Sequence, residues 1–145
     1  MAEENPNPIV AVGAVIWNAA REVVLIRRAA FPRAGEWSIP GGKVVFGETL
    51  REALIREVRE ETGLEIDIVG LIDAVDFFAP DTGVDISHHY VLIDFAARQT
   101  GGALRAGTDA EEARWVPYAE LDRYELWSET RRIIAASARQ TNFTE

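Results

Sequence analysis

Apolar residues recur along this chain in two rhythms. Between positions 50 and 62 they fall at three- and four-residue steps, as Leu50, Ala53, Leu54 and Val58, the period of a helix with one buried side. Thr49 or Glu48 stands at the cap, and Gly63 closes the helix with Leu64 as an apolar anchor, because glycine takes the left-handed conformation most easily. Elsewhere the rhythm is that of extended chain. Residues 9–17 read as a strand, 18–22 as a hairpin loop and 23–28 as the returning strand. Residues 37–45 read as a short strand, a glycine turn and another short extended piece. Residues 65–78 alternate weakly and predict a strand with an irregularity at Gly70, and 87–97 predict a stronger one. A turn at 79–83 separates these two, and 100–107 reads as a flexible connection. A short strand at 113–117, a helical turn at 118–121 and a helix at 127–139 complete the pattern, with 1–8 and 141–145 as tails around a single domain at 9–140.

Composition narrows the class of function. A chain of 145 residues suits one domain with a sizeable core. Its net charge of -9 argues against a stable nucleic-acid partner. Without cysteine it has no disulfide and no thiol nucleophile. The acidic, proline-broken start does not resemble a signal peptide, and no apolar run is long enough to span a membrane, so the expected location is the cytoplasm.

The helix at 50–62 carries the most unusual chemistry. Glu57, Glu60 and Glu61 lie three and four residues apart and share a face. Like charges at such spacings oppose helix formation by roughly 0.2–0.5 kcal/mol per pair, so the cluster needs a cation. Arg56, four residues from both Glu52 and Glu60, neutralises part of it. Convergent hard oxygen donors also suit Mg²⁺ or Mn²⁺, with phosphate and water completing the shell. Pro40, Gly41 and Gly42, followed by Gly47 and Glu48, make the approach to this helix a turn-rich loop whose backbone can come close to a metal or a phosphate.

Gly42, five residues, Glu48, seven residues, then Arg56-Glu57-Val58-Arg59-Glu60-Glu61-Thr62-Gly63-Leu64 resembles a complete Nudix box. The resemblance implies an α/β (α+β) architecture, a mixed β-sheet sandwiched between α-helices. It also implies metal-dependent hydrolysis of a diphosphate linked to another moiety, with a small nucleotide as partner and a monomer or homodimer as the assembly. On this resemblance Glu57, Glu60 and Glu61 hold Mg²⁺ or Mn²⁺, the Gly41 carbonyl is a further ligand, and Arg56 orients the glutamates. Glu48 serves a second metal or braces the loop. The general base is either Glu57 or a carboxylate on a later loop, for which Glu112 is preferred by its spacing to Trp115, with Glu111 close behind.

Substrate contacts are expected from Arg27 or Arg28, which alternate sides of a strand, and from Trp37, Lys43, Phe78 and Pro80, with Phe77 and Tyr90 as further pocket candidates. Each of these also has a plain alternative as a solvated or packed side chain. His88 and His89 point to opposite faces of a strand and do not form a joint metal site. Fifteen residues separate Leu64 from Pro80, the interval at which the ADP-ribose pyrophosphatase group resembled here carries a proline. ADP-ribose or a related nucleotide sugar is therefore the expected substrate. A house-cleaning nucleoside triphosphate pyrophosphohydrolase and a noncatalytic Nudix-fold ligand sensor are the rival readings.

Overall fold

The computed structural model describes residues 7–29, 33–79 and 86–141. In chain order the elements are β1 (Ile9–Trp17), β2 (Glu22–Arg28), β3 (Trp37–Ser38), β4 (Gly41–Lys43), α1 (Leu50–Thr62), β5 (Leu64–Ala79), β6 (His88–Gly102), β7 (Ala110–Pro117), a 3₁₀ turn (Tyr118–Arg123) and α2 (Ser128–Gln140). The strands form one mixed sheet in the order β3-β2-β1-β6-β5, with β4 added to β1 and β7 to β2. Only β1 and β6 run parallel among the described pairings.

Alternation along the strands builds two cores. Val12, Ala14, Ile16, Val24 and Ile26 pack against Ala53, Leu54 and Val58 of α1. Their neighbours Val15, Trp17, Val23 and Leu25 face the other way, against Ile133, Ile134 and Ala138 of α2. The period of two therefore places one helix on each face of the sheet. On the α2 side the fully buried Trp17 donates its indole N–H to Ser137 Oγ at 3.0 Å, so the largest core side chain leaves no polar atom unsatisfied.

Helix α1 begins at a reciprocal cap. The Glu52 N–H donates to Thr49 Oγ1 at 3.1 Å and the Thr49 N–H to Glu52 Oε1 at 2.9 Å. It ends at Gly63, whose φ of 76° is left-handed. Both ends agree with the pattern of apolar positions.

Three segments depart from that pattern. The stretch read as a flexible connection continues β6 to Gly102, and the loop beyond it is tied to α1: Arg105 N–H donates to Thr62 O and Gly107 N–H to Glu61 O, each at 2.9 Å. Those carbonyls belong to the last helical turn and have no partner within the helix, so the loop satisfies them. The acidic residues expected on a loop before Trp115 lie instead within β7. The irregularity in β5 is wider than Gly70, with register shifts between Glu65 and Ile66, Ile68 and Gly70, and Leu71 and Asp73. Most of the turn at 79–83, Pro80 included, lies outside the described residues.

The edge of β1 is shared. Its C-terminal end pairs with β2 through Trp17 and Val23, while Ala11, Val12 and Gly13 pair with Lys43, Gly42 and Gly41 of β4. The chain between these partners opens a cleft that reaches both faces of the sheet.

Candidate active site

This cleft, of about 420 Å³, is lined at one end by Glu57, Glu61, Gly41, Gly42, Lys43, Arg28 and Asp109, and at the other by Ile39, Phe77, Tyr90, Leu92, Asp94 and Arg33. The acidic end is built from α1 and β4. Glu61 is only 6% exposed. Its Oε1 accepts the Gly41 N–H at 3.3 Å. Burial pushes its carboxyl up to about 7, and the neighbouring Glu57 carboxylate acts in the same direction, against the lowering effect of that N–H and of Arg28. A side chain at Gly42 would overlap the Glu57 carboxylate, so the bare backbone of β4 lies directly against it.

Arg56 organises the flank of this acidic end. Its Nε and Nη2 donate to the two oxygens of Glu48 at 2.6 and 2.9 Å. Nη1 reaches Glu57 Oε2 at 2.8 Å and Glu60 Oε1 at 3.3 Å, and Nη2 also reaches the Lys43 carbonyl at 3.1 Å. One planar guanidinium thus links the loop before α1 to β4 and to the helix. The Arg56 fork, together with the Val45 N–H, holds the Glu48 carboxyl down at about 2. Glu60 contacts Arg56 but leaves 62% of its side chain exposed and does not line the cleft.

The expected site residues divide between two faces. Arg27 is directly opposite both Trp37 and Glu112 in the ladder, so these three share the α2 face of the sheet. They line a separate cavity of about 510 Å³ with Arg114 and Tyr124. There Arg27 and Arg114 lie over the Trp37 ring, at 5.9 and 5.0 Å from its centroid, and Glu112 pairs with Arg114. Arg28, one residue on, faces the cleft with Glu61. The carboxylate that the loop after β6 delivers to the cleft belongs to Asp109 rather than to Glu112, because the ties of Arg105 and Gly107 to the end of α1 set its position.

A similar one-residue alternation separates two phenylalanines. Phe77 lines the cleft. Phe78 is 41% exposed and stacks on His89 with ring centroids 4.6 Å apart. His89 Nε2 in turn meets Asp76 Oδ1 at 2.8 Å, and His88 Nδ1 meets Ser87 Oγ at 2.8 Å.

Sequence reasoning passed over Asp94, Asp109 and Arg33. Asp94 had a visible signal: it is a single acid inside the apolar run from Tyr90 to Ala97. Arg33 lies over the Phe77 ring at 4.8 Å and over Trp127 at 5.2 Å, closing the aromatic end.

The donor set suits a divalent cation. Glu57 and Glu61 offer hard carboxylate oxygens, and the raised carboxyl of Glu61 marks a buried acid that gains from a cation beside it. No three acidic or histidine side chains converge in metal-binding geometry among the described residues. Mg²⁺ takes one or two carboxylates and fills its remaining positions with water and substrate phosphate, so two convergent carboxylates are compatible with it.

Residues 7–137 match the model of the NUDIX domain. The chain is 38% identical over 117 residues to an ADP-ribose pyrophosphatase of Methanocaldococcus jannaschii, covering 81% of this chain and 66% of that one. It is 35% identical over 112 residues to an 8-oxo-dGDP phosphatase of Mus musculus, covering 74% of this chain and 32% of that protein. The chain thus spans about two thirds of the first relative and a third of the second. The crystal structure of a MutT NUDIX hydrolase from Burkholderia pseudomallei superposes with a TM-score of 0.76 at 29% identity, over 90% of this chain and 98% of that one.

Proposed function

The chain belongs to the Nudix family, and from that premise we propose that it hydrolyses the diphosphate of a nucleoside diphosphate derivative in the cleft between α1 and β6. The observation that carries this reading is the buried Glu61 carboxyl beside Glu57, lining one end of a cavity whose other end is aromatic.

In this reading Glu57 and Glu61, with the Gly41 carbonyl, hold Mg²⁺ or Mn²⁺, and Glu60 joins them by turning from Arg56. A bound divalent ion supplies charge neutralisation on the phosphoryl oxygens and a more acidic water. Arg56 fixes the Glu57 carboxylate through a charge-assisted hydrogen bond. Glu48 braces the loop by its own bidentate pairing with Arg56. Arg28 and Lys43, at the same end of the cleft, are placed to take phosphate oxygens. Asp109 is the later carboxylate that takes the proton of the attacking water or orients that water, with Glu57 as the other candidate base. Glu112, Arg27 and Trp37 act outside this chemistry, because they line a separate cavity with Arg114 and Tyr124.

ADP-ribose is the substrate this reading favours, supported by the similarity to the archaeal pyrophosphatase. The chain works as one domain on a small nucleotide. No described helix is long and apolar enough to cross a membrane, and the cytoplasm is the proposed location. The test is incubation of ADP-ribose, other nucleoside diphosphate sugars and nucleoside triphosphates with Mg²⁺ or Mn²⁺, with products resolved by mass spectrometry. AMP and ribose 5-phosphate are expected from ADP-ribose. Glu61→Gln is expected to lower that turnover by orders of magnitude in a folded protein, and unchanged turnover at saturating Mg²⁺ rejects the assignment. Tight ADP-ribose binding without hydrolysis under all these conditions supports a sensor instead.

A further inference from the structure

Asp94 is a buried carboxyl that the hydrolytic chemistry leaves unused. It is 7% exposed, in the middle of β6, and lines the end of the cleft away from Glu57 and Glu61. It accepts no hydrogen bond from a described residue. Its position is built for. Gly13 lies opposite it in the β1–β6 ladder, and a Cβ at Gly13 would overlap Asp94 Oδ1, so the glycine makes the room that the carboxyl occupies. Around it Ile39, Leu92, Phe77 and Tyr90 give apolar and aromatic walls. Its carboxyl opens to the cleft, where a ligand can supply the hydrogen-bond partners that the surrounding side chains do not.

We propose that Asp94 reads the base of the substrate, pairing with the amidine edge of adenine through N1 and the 6-amino group. This rests on the reading of the cleft as a nucleotide site. A flat base between aromatic and apolar walls, held on its Watson–Crick edge, is a general way of recognising an unpaired nucleobase. The protonated carboxyl matches adenine in both positions, since its O–H donates to N1 and its other oxygen accepts from the amino group. The surroundings favour that form. Burial pushes the Asp94 carboxyl up to about 7, and Asp73 on β5 adds to this while Arg132 on α2 opposes it. The phosphates of a bound nucleotide add further negative charge and act in the same direction as Asp73.

The experiment compares ADP-ribose with its 6-deamino counterpart, which carries purine in place of adenine, so that N1 still accepts but no 6-amino group is left to donate to the second oxygen at position 94. Hydrolysis and calorimetric binding are both measured, for wild type, Asp94→Asn and Asp94→Leu, with thermal melts to confirm folding. Wild type is expected to prefer the adenine compound by at least about 100-fold in kcat/KM and in affinity, because a site built to hydrogen-bond rejects an analogue that cannot reciprocate. Asparagine offers the same donor and acceptor as the protonated acid, so Asp94→Asn is expected to keep the preference. Leucine offers neither, so Asp94→Leu is expected to reduce it to within about tenfold. An unchanged preference in Asp94→Leu overturns the proposal, as does a loss or reversal of preference in Asp94→Asn. Binding discrimination that depends on Asp94 without turnover upholds the base reader and counts against the hydrolase reading. Turnover without discrimination does the reverse.

Discussion

The Arg56 guanidinium grips Glu48 with two parallel hydrogen bonds, Nε to Oε2 at 2.6 Å and Nη2 to Oε1 at 2.9 Å, and with the same group holds Glu57 Oε2 at 2.8 Å. The loop before α1 and the carboxylate proposed to hold metal are therefore positioned by one side chain. Lysine keeps the charge but not the fork. Arg56→Lys is expected to lower turnover about 10–100-fold, the range typical when groups that orient metal ligands are lost. A titration of Mg²⁺ against activity checks it: the half-saturating concentration should rise while the thermal midpoint stays close to wild type.

Two buried carboxyls give the metal-free protein a pH dependence of definite sign. Glu61 is raised from 4.5 to about 7, so between those values the folded chain holds a proton that the unfolded chain has released. Its contribution is fully present below about pH 4.5 and is lost as pH rises through about 7. The full effect is about 3 kcal/mol. Urea unfolding of the metal-free protein should show stability falling over this window. Glu61→Gln should flatten part of the fall, and Asp94→Asn another part, since Asp94 is raised from 3.8 to about 7. Adding Mg²⁺ should restore stability on the alkaline side in wild type and much less in Glu61→Gln, because the ion binds the folded, ionised form.

Asp109 and Glu112 are close in sequence and lie on different cavities. Asp109→Asn is expected to lower kcat at least tenfold, and Glu112→Gln to leave it within about twofold. Equal effects from the two would reject the assignment of the later carboxylate to Asp109. Steady-state kinetics with ADP-ribose suffices to separate them.

Gly42→Ala places a methyl group where the Glu57 carboxylate lies. Either β4 or the carboxylate must shift, at a cost of about 1–3 kcal/mol. The expected outcome is a lower thermal midpoint together with a loss of metal-dependent turnover. Gly35 provides the control for chain strain alone, because its φ of 87° is left-handed and nothing lies within 4 Å of an added Cβ. Gly35→Ala should lose stability and keep turnover.

Helix α1 was legible to the residue because local physics sets both of its ends, through the Thr49 cap and the left-handed Gly63. Strands β1 and β2 were equally clear, since alternation and a short hairpin are local signals. Faces were not legible. Period two says that Arg27 opposes Arg28 and that Phe77 opposes Phe78, but only the tertiary packing decides which of each pair reaches the cleft. Spacing to Trp115 points to Glu112, with Glu111 close behind, but that spacing carries no information about register. The ladder Trp37, Arg27, Glu112 is a long-range pairing that no local pattern contains. Asp94 was visible as a lone acid among apolar residues, yet its meaning depends on Gly13, which lies far away in sequence and opposite it in the sheet.

The shared edge of β1 separates bond cleavage from base choice. Glutamates on α1 and glycines on β4 form one end of the cleft, and a strand residue on β6 sits at the other. On the proposed assignments, a substitution at position 94 alters what is recognised without touching the glutamates of α1. Specificity in this chain can therefore be altered at a position on β6 while the α1 glutamates stay in place, and an engineer seeking a new specificity has Asp94 at which to begin.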